Sequence, residues 1–583
     1  MKRFLALVGL MILCAGPVAA DYLFIKIDLN KINFGGEAPG GGQPGGQPGF
    51  QPPGGPEGLG GGLGGFPGGG GGKGMKGKGG PMGGGLQPGG FGGQPPGAPP
   101  GAAPPGGELG GGGPNAGGPA SDVPPHYVLA FVPLTSNLRS SQQPSGQVIL
   151  EADHLWGKKG RFPWAPGLVE YTFVKKDSVA KDFSKNYGKV VTDGKNAGAL
   201  YLASSWALAH GLTKEFHNAM AALAKADANH FAVANYNRVQ AERQKAPGGD
   251  DPATQAILAD LKKDDYRLNQ SDAGHYGILT KPAPAGTNAA LKRRLARLET
   301  AFDNFFYWFA LQENVQQPAL PKYRLYAVLV EDKEKFHTLH SSWSRQPMVT
   351  DGFTPRRDNL IVLSAKRLDE TYAVFEKNVQ TLWTRGINRD DLVSGSVWDK
   401  RDNRIDIVTG SAYQTLAVMQ KSLDDESERA SISHEATRQL LLATGVLPRL
   451  VNVPEWVQSG MAGYLDTPYG SLYNGVGLPS WTNLVSFKHF MKARRIGGTS
   501  DERYTTFLRT ISNQFFRDVM RAEEDQKDRL EKETQELKDS HDIAQCTAWA
   551  LVYYVIQEKK LPQLMQYTQE LSNLPRDMDL DER

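Results

Sequence analysis

Apolar and polar residues alternate from Asp21 to Phe34, DYLFIKIDLNKINF, with the two-residue period of a strand that buries one face. Short β-type runs follow much later, at HYVLAFV (126–132), VIL (148–150) and VEYTFV (169–174), separated by glycine and proline. They predict a small β unit, and GKKGRFPW (157–164) between them predicts a solvated hairpin. The period then lengthens. Leu200, Ala203, Ala207 and Leu208, followed by Phe216, Met220, Leu223 and Ala224, recur at helical spacing around a break at Gly211, with Thr213 placed as an N-cap. This pattern predicts a helical hairpin, similar to one tetratricopeptide-type unit but without the further copies a solenoid needs. The β unit and the hairpin make a mixed middle region, 126–250. KAPGGDDP (245–252) then opens a linker region, 251–290.

From Leu291 the helical pattern is dense. Leu295, Leu298, Phe302, Phe305, Phe306 and Phe309 form a wide apolar stripe; Tyr323–Val330 reads as a strand, Asp332–Ser342 as a helix and Asn359–Leu363 as a second strand. Helices are predicted at Leu368–Trp383, Ala412–Ser422, Arg429–Thr444, Pro454–Leu465 and Thr547–Gln557. FRDVMRAEEDQKDRLEKETQELKDS (516–540) lacks sustained apolar heptads and predicts a solvated helix held by pairs of opposite charge one turn apart. The fold class is α+β, with a mostly helical C-terminal domain over 291–583.

Composition changes the picture at the N-terminus. Glycine and proline crowd residues 35–125, without the strict Gly-X-Y period of collagen. Such a stretch buries too little apolar surface to offset its ordering entropy, so a disordered arm or tether is expected there. Residues 1–20 carry Lys2 and Arg3, an apolar run to Ala15 and small residues at Val18-Ala19-Ala20, the pattern of a secretory signal peptide. Export to the periplasm or the exterior is expected. Met11-Ile12-Leu13 before Cys14 lacks the small residue that a lipid-attachment site favours, which argues against an anchor there.

No stretch reaches the roughly 18 continuous apolar residues of a membrane span, so the chain is not expected to be transmembrane. Past the signal Cys546 is the only cysteine, which excludes an internal disulfide and a cysteine zinc cluster. The formal net charge of +3 is small, and no basic run interleaves with aromatics; nucleic acid is not an expected partner. Nucleophile elbows and phosphate loops are absent from the sequence.

The candidate chemistry lies in SISHEATRQLLLATG (431–445). In an H-E-x-x-H helix two histidines four residues apart bind Zn²⁺ from one face, and the glutamate polarises a metal-bound water. Here His434 and Glu435 are followed by Arg438 where the second histidine would stand. After a short loop comes PEWVQSGMAGYLDTP (454–468). The two motifs, with the upstream strand, helix and strand and Gly352-Phe353 between the last two, resemble the gluzincin metallopeptidases. The resemblance is to a peptidase-MA-like bacterial family of unknown function in particular, and covers about residues 290–575.

That resemblance implies a thermolysin-like fold for the C-terminal domain. It matches His434 to the first zinc ligand, Glu435 to the catalytic glutamate, Arg438 to the second histidine and Ser459 to the third-ligand glutamate. Trp456, Gly460, Met461 and Ala462 match the framework around that missing carboxylate. Arginine offers only donors and stays protonated, and serine cannot supply a carboxylate's charge. Both His434 and Glu435 are then vestigial, no cofactor is expected, and Arg438 is placed to pair with Glu435 three residues before it. Substitute ligands around His434 would have to come from His337, His340, His489, His541, Tyr464 or Asp466.

The leading expectation is an exported, catalytically inactive peptidase-like protein that binds a peptide or cell-envelope polymer in the old substrate cleft. Two alternatives remain at this stage. One is an active zinc metallohydrolase with substitute ligands; the other is a structural envelope protein whose arm is the working part.

Overall fold

A computed structural model describes residues 22–28 and, apart from 164–168, 175–176, 246, 283–287, 345, 349, 357–359, 369, 384–387, 399–406, 467–475 and 528–534, residues 127–576. The expected signal peptide, the Gly/Pro arm and the charged tail at 577–583 lie outside the described residues. The first strands are β1 (Tyr22–Asp28), β2 (Tyr127–Pro133), β3 (Arg139–Gln142), β4 (Val148–His154), β5 (Gly157–Pro163) and β6 (Val169–Val174). They form two antiparallel sheets, ordered β2-β1-β6 and β3-β4-β5. The alternating segment at the N-terminus is thus a central strand. Its Leu23, Ile25 and Ile27 are buried. Closing the roughly 100-residue gap between β1 and β2 costs about 4 kcal/mol of chain entropy by the (3/2)RT ln n rule. Burying three branched side chains returns roughly 5–9 kcal/mol, which is enough to hold β1 in the sheet.

The helices α1 (Asp177–Asp193), α2 (Ala197–Ala209), α3 (Thr213–Ala226) and α4 (Phe231–Arg243) follow. The expected hairpin is α2 and α3, turning at Gly211, and it is flanked by a helix on each side. α1 does carry Val179, Phe183, Tyr187 and Val190 at helical spacing, whereas the apolar positions of α4 are scattered.

Residues 251–290 are not the expected linker. They hold α5 (Pro252–Lys263) and the hairpin β7 (Arg267–Gln270) and β8 (Tyr276–Thr280). β8 buries Tyr276, Gly277, Ile278 and Leu279 in succession. A strand covered on both faces loses the alternation that marks a half-exposed one, and so went unread.

Next come α6 (Asn288–Ala310), β9 (Leu325–Val330), α7 (Lys333–Trp343), β10 (Gly352–Phe353) and β11 (Leu360–Ser364). Their strands and the hairpin make a five-stranded sheet, order β10-β11-β9-β8-β7. It is parallel at β11-β9 and β9-β8 and antiparallel at both ends, with β10 on one edge.

After α8 (Glu370–Trp383) and α9 (Arg389–Ser394) runs α10 (Ile407–Ala443), 37 residues and about 55 Å long. Two separate helices were expected here, because the polar stretch Asp424–Arg429 interrupts the apolar period. The helix continues because α6 answers those charges. Arg297 Nη2 lies 2.7 Å from Asp425 Oδ1 and Arg294 Nη2 2.5 Å from Glu428 Oε2, while within α10 Arg429 Nη2 lies 2.5 Å from Asp425 Oδ2. The N-terminal half of α10 packs Leu416, Met419 and Leu423 with Phe375 and Val379 of α8 against the β1 sheet. Its C-terminal half sets Ile432, Ala436, Leu440 and Leu441 in the main helical core.

The chain closes with α11 (Glu455–Leu465), α12 (Trp481–Lys492), α13 (Ser500–Ile511), α14 (Gln514–Lys527), α15 (Gln535–Gln557) and α16 (Leu561–Leu571). Of the charged segment expected as one solvated helix, the described residues belong to α14 and the start of α15, and 528–534 lie outside the described residues. Its Phe516 and Val519 are buried in the core, so α14 is amphipathic rather than solvated all round. The described fold is mixed α and β and mostly helical.

Candidate functional site

The C-terminal half of α10 aims His434, Glu435 and Arg438 into the interior, where they are 6, 0 and 2% exposed. Glu435 is fixed by the edge of the sheet. Thr350 Oγ1 donates to its Oε1 at 3.0 Å and Thr354 Oγ1 to its Oε2 at 2.8 Å. Gly352 between them has no room for a side chain, since a Cβ there would stand 3.1 Å from Glu435 Cγ and 3.0 Å from Leu363 Cδ2. Glycine therefore lets β10 lie directly on the carboxylate.

Arg438 is expected to pair with Glu435, and the structure keeps that contact and adds a nearer partner. Its Nη1 is 4.0 Å from Glu435 Oε2, whereas its Nη2 is 2.9 Å from Glu455 Oε1 and donates to Gln346 Oε1 at 2.7 Å. Glu455 occupies the first position of α11, where unpaired backbone N–H groups favour a negative charge. It lies four residues before Ser459, hence on the same helix face. The carboxylate lacking at 459 is thus present one turn earlier, and a guanidinium is its counter-charge. Burial raises the Glu455 carboxyl above its ordinary range against the pull of Arg438, with Glu435 pushing the same way as burial.

His434 Nδ1 stands 3.7 Å from Asp466 Oδ2 at the C-terminal end of α11. Burial also raises the Asp466 carboxyl, opposed by His434 and Ser433. His434 Nε2 is buried and finds no hydrogen-bond partner among the described residues. Ser459 is 3% exposed. Trp456, Gly460, Met461 and Ala462 are packing positions in the structure. Gly460 brings α11 against α15 so closely that a Cβ would meet the Ala548 carbonyl at 2.6 Å. Trp456 stacks on Tyr567 of α16 with centroids 6.1 Å apart, and Met461 and Ala462 are buried.

The donor set does not fit zinc. One imidazole nitrogen is open, but the position one turn on carries a fixed cation, and among the described residues no group of three or more His, Cys, Asp or Glu could hold a metal ion. The other histidines are engaged elsewhere: His340 Nε2 with the Gln346 carbonyl, and His541 Nε2 3.1 Å from Glu523. His337 shares α7 with His340, and His489 packs beside Phe490 on α12. Tyr464 is buried against Trp308. Glu435 has no exposed surface and accepts from two hydroxyl donors.

Sequence reasoning brought together His434, Glu435 and Arg438 and named Asp466. It missed Glu455, Gln346, Thr350 and Thr354. Glu455 carried one signal, an acid immediately before the aromatic of the motif at the start of a helix. The other three come from the connection after α7 and the sheet edge and left none. Residues 428–576, about a quarter of the chain, match the model of a family described as a protein of unknown function (DUF1570). The match spans the cluster-bearing half of α10 and continues through α16. No curated protein and no solved structure matches the chain.

Proposed function

We propose that this chain is an exported, metallopeptidase-like protein that has exchanged its zinc site for a buried ion cluster and works by binding rather than catalysis. The gluzincin resemblance of the HEATR and PEWVQSGMA motifs supports the ancestry, and the signal-like residues 1–20 support export. The observation that carries the reading is the Arg438–Glu455 pair at 2.9 Å, which puts a guanidinium where the resemblance requires a second zinc histidine. A guanidinium and a metal ion exclude one another there by charge and by volume.

Because the cluster is closed, binding of a peptide or envelope polymer needs another surface. An open cavity of about 410 Å³ lined by Trp156, Arg389, Asp390, Val393, Ser394, Lys421 and Asp424 is of ligand-binding size. Its indole wall, with Arg389 paired to Asp424 at 2.9 Å and Lys421 and Asp390 beside them, suits a sugar or peptide that carries groups of both charges.

Metal content of the purified full chain, prepared without chelator, tests the reading beside an Arg438→His, Ser459→Glu double variant. The natural chain is expected to hold no stoichiometric zinc and the double variant to gain about one per chain, the complement of a three-ligand site. One zinc per natural chain overturns the reading.

A further inference from the structure

We propose that α13 and the basic segment leading into it dock this protein on an anionic lipid surface. Tyr504, Phe507, Leu508 and Ile511 stand at i, i+3, i+4 and i+7 of α13, the spacing of a single helix face. In a helix packed on a core that face turns inward. Here the four side chains are 62, 45, 41 and 38% exposed. Val485 and Met491 of α12 are 45 and 40% exposed, so six of the twelve exposed large apolar side chains among the described residues fall between 485 and 511. The four on α13 share one helix face, and such a grouping marks an interaction surface where scattered single residues would not.

Charge selects the partner. Residues 481–511 contain Lys488, Lys492, Arg494, Arg495, Arg503 and Arg509 against Asp501 and Glu502, a surplus of four positive charges in a chain whose formal total is +3. All other residues together therefore sum to −1. Asp539 of α15 pairs with Arg495, and Asp518 of α14 with Arg509. Lys488, Lys492 and Arg494 remain exposed on α12 and at its C-terminal end. The two acids sit in the first turn of α13, where Glu502 closes a capping box with Thr499, at the opposite end from Phe507, Leu508 and Ile511.

A second copy of the chain would bring the same positive surplus to the interface and be repelled. A nucleic acid would answer the charge and leave the apolar face in water. An anionic bilayer meets both, with headgroups on the lysines and the acyl boundary on the apolar face. At 12 residues, about 18 Å, α13 lies in the interface plane. No helix among the described residues is long and apolar enough to cross a membrane. The inference does not depend on the reading of the ion cluster.

Co-sedimentation of the full chain with vesicles of phosphatidylcholine alone, and of phosphatidylcholine mixed with phosphatidylglycerol, tests it. Binding is expected to the mixed vesicles and to weaken with added salt. It is expected to fall about tenfold or more in Phe507→Ser, Leu508→Ser, because each lost side chain is worth about that factor when well buried. Lys488→Glu, Lys492→Glu is expected to reduce it similarly. The replaced side chains are exposed, so thermal melts of both variants are expected to match the natural chain; if one melts early, the single changes Phe507→Ser and Lys492→Glu are read in its place. Absence of binding to the mixed vesicles, equal binding to both vesicle types, or undiminished binding by folded variants overturns the proposal. So does a dimer in sedimentation equilibrium that Phe507→Ser, Leu508→Ser dissolves.

Discussion

At the scale of single residues, the cluster behaves as a unit whose members tolerate replacement together better than apart. Arg438 and Glu455 are 2 and 3% exposed, and neither charge can turn to water if the other is removed. Removing one partner of a buried pair costs roughly 3–5 kcal/mol, while replacing both with groups of similar volume is often near neutral. Arg438→Met is therefore expected to lower the unfolding free energy by about that amount, and Arg438→Met, Glu455→Gln to recover much of the loss. Urea unfolding of the wild type, both single variants and the double variant measures the coupling. A coupling energy near zero would mean that the two charges are solvated separately. The arginine was legible from the motif. Its partner was not, because an acid in the first turn of a helix is also what the backbone dipole alone would select.

At the scale of elements, α10 is the case where local pattern and tertiary structure disagree. Leu416 to Leu423 and Ile432 to Leu442 each read correctly as buried helical faces, and only the charged stretch between them was misread as a break. What keeps that stretch helical comes from α6, about 130 residues earlier in the chain, and no local window contains it. Burial alone would raise the Asp425 carboxyl; Arg297 and Arg429 outweigh it and hold the group below its ordinary value of 3.8. A depressed carboxyl contributes stability that is complete above the unfolded value and is lost as pH falls through the folded one. Amide hydrogen-exchange protection across 424–431 is thus expected to drop relative to 436–442 as pH is lowered below 3.8, and Arg297→Gln is expected to produce the same selective loss at neutral pH. Uniform loss along the helix would assign its continuity to intrinsic propensity instead.

At the scale of the whole molecule, α10 belongs to two hydrophobic cores at once. Its first half completes the core of the β1 sheet with α8, and its second half the main helical core with α6 and α11. The sequence made the β unit and the C-terminal domain legible as separate patterns. It hid their union, because the joining piece is the helix read as two. A rigid helix shared by two cores transmits the loss of either to the other, so the described fold is expected to unfold in one thermal transition. Phe375→Ala on the β1 side and Leu440→Ala in the main core, both fully buried, are each expected to cost roughly 2–5 kcal/mol and to lower that same transition. Calorimetry that resolved two transitions, each moved by only one of the substitutions, would reduce α10 to a tether between independently folded parts. A single transition moved by both would make the fold one cooperative unit.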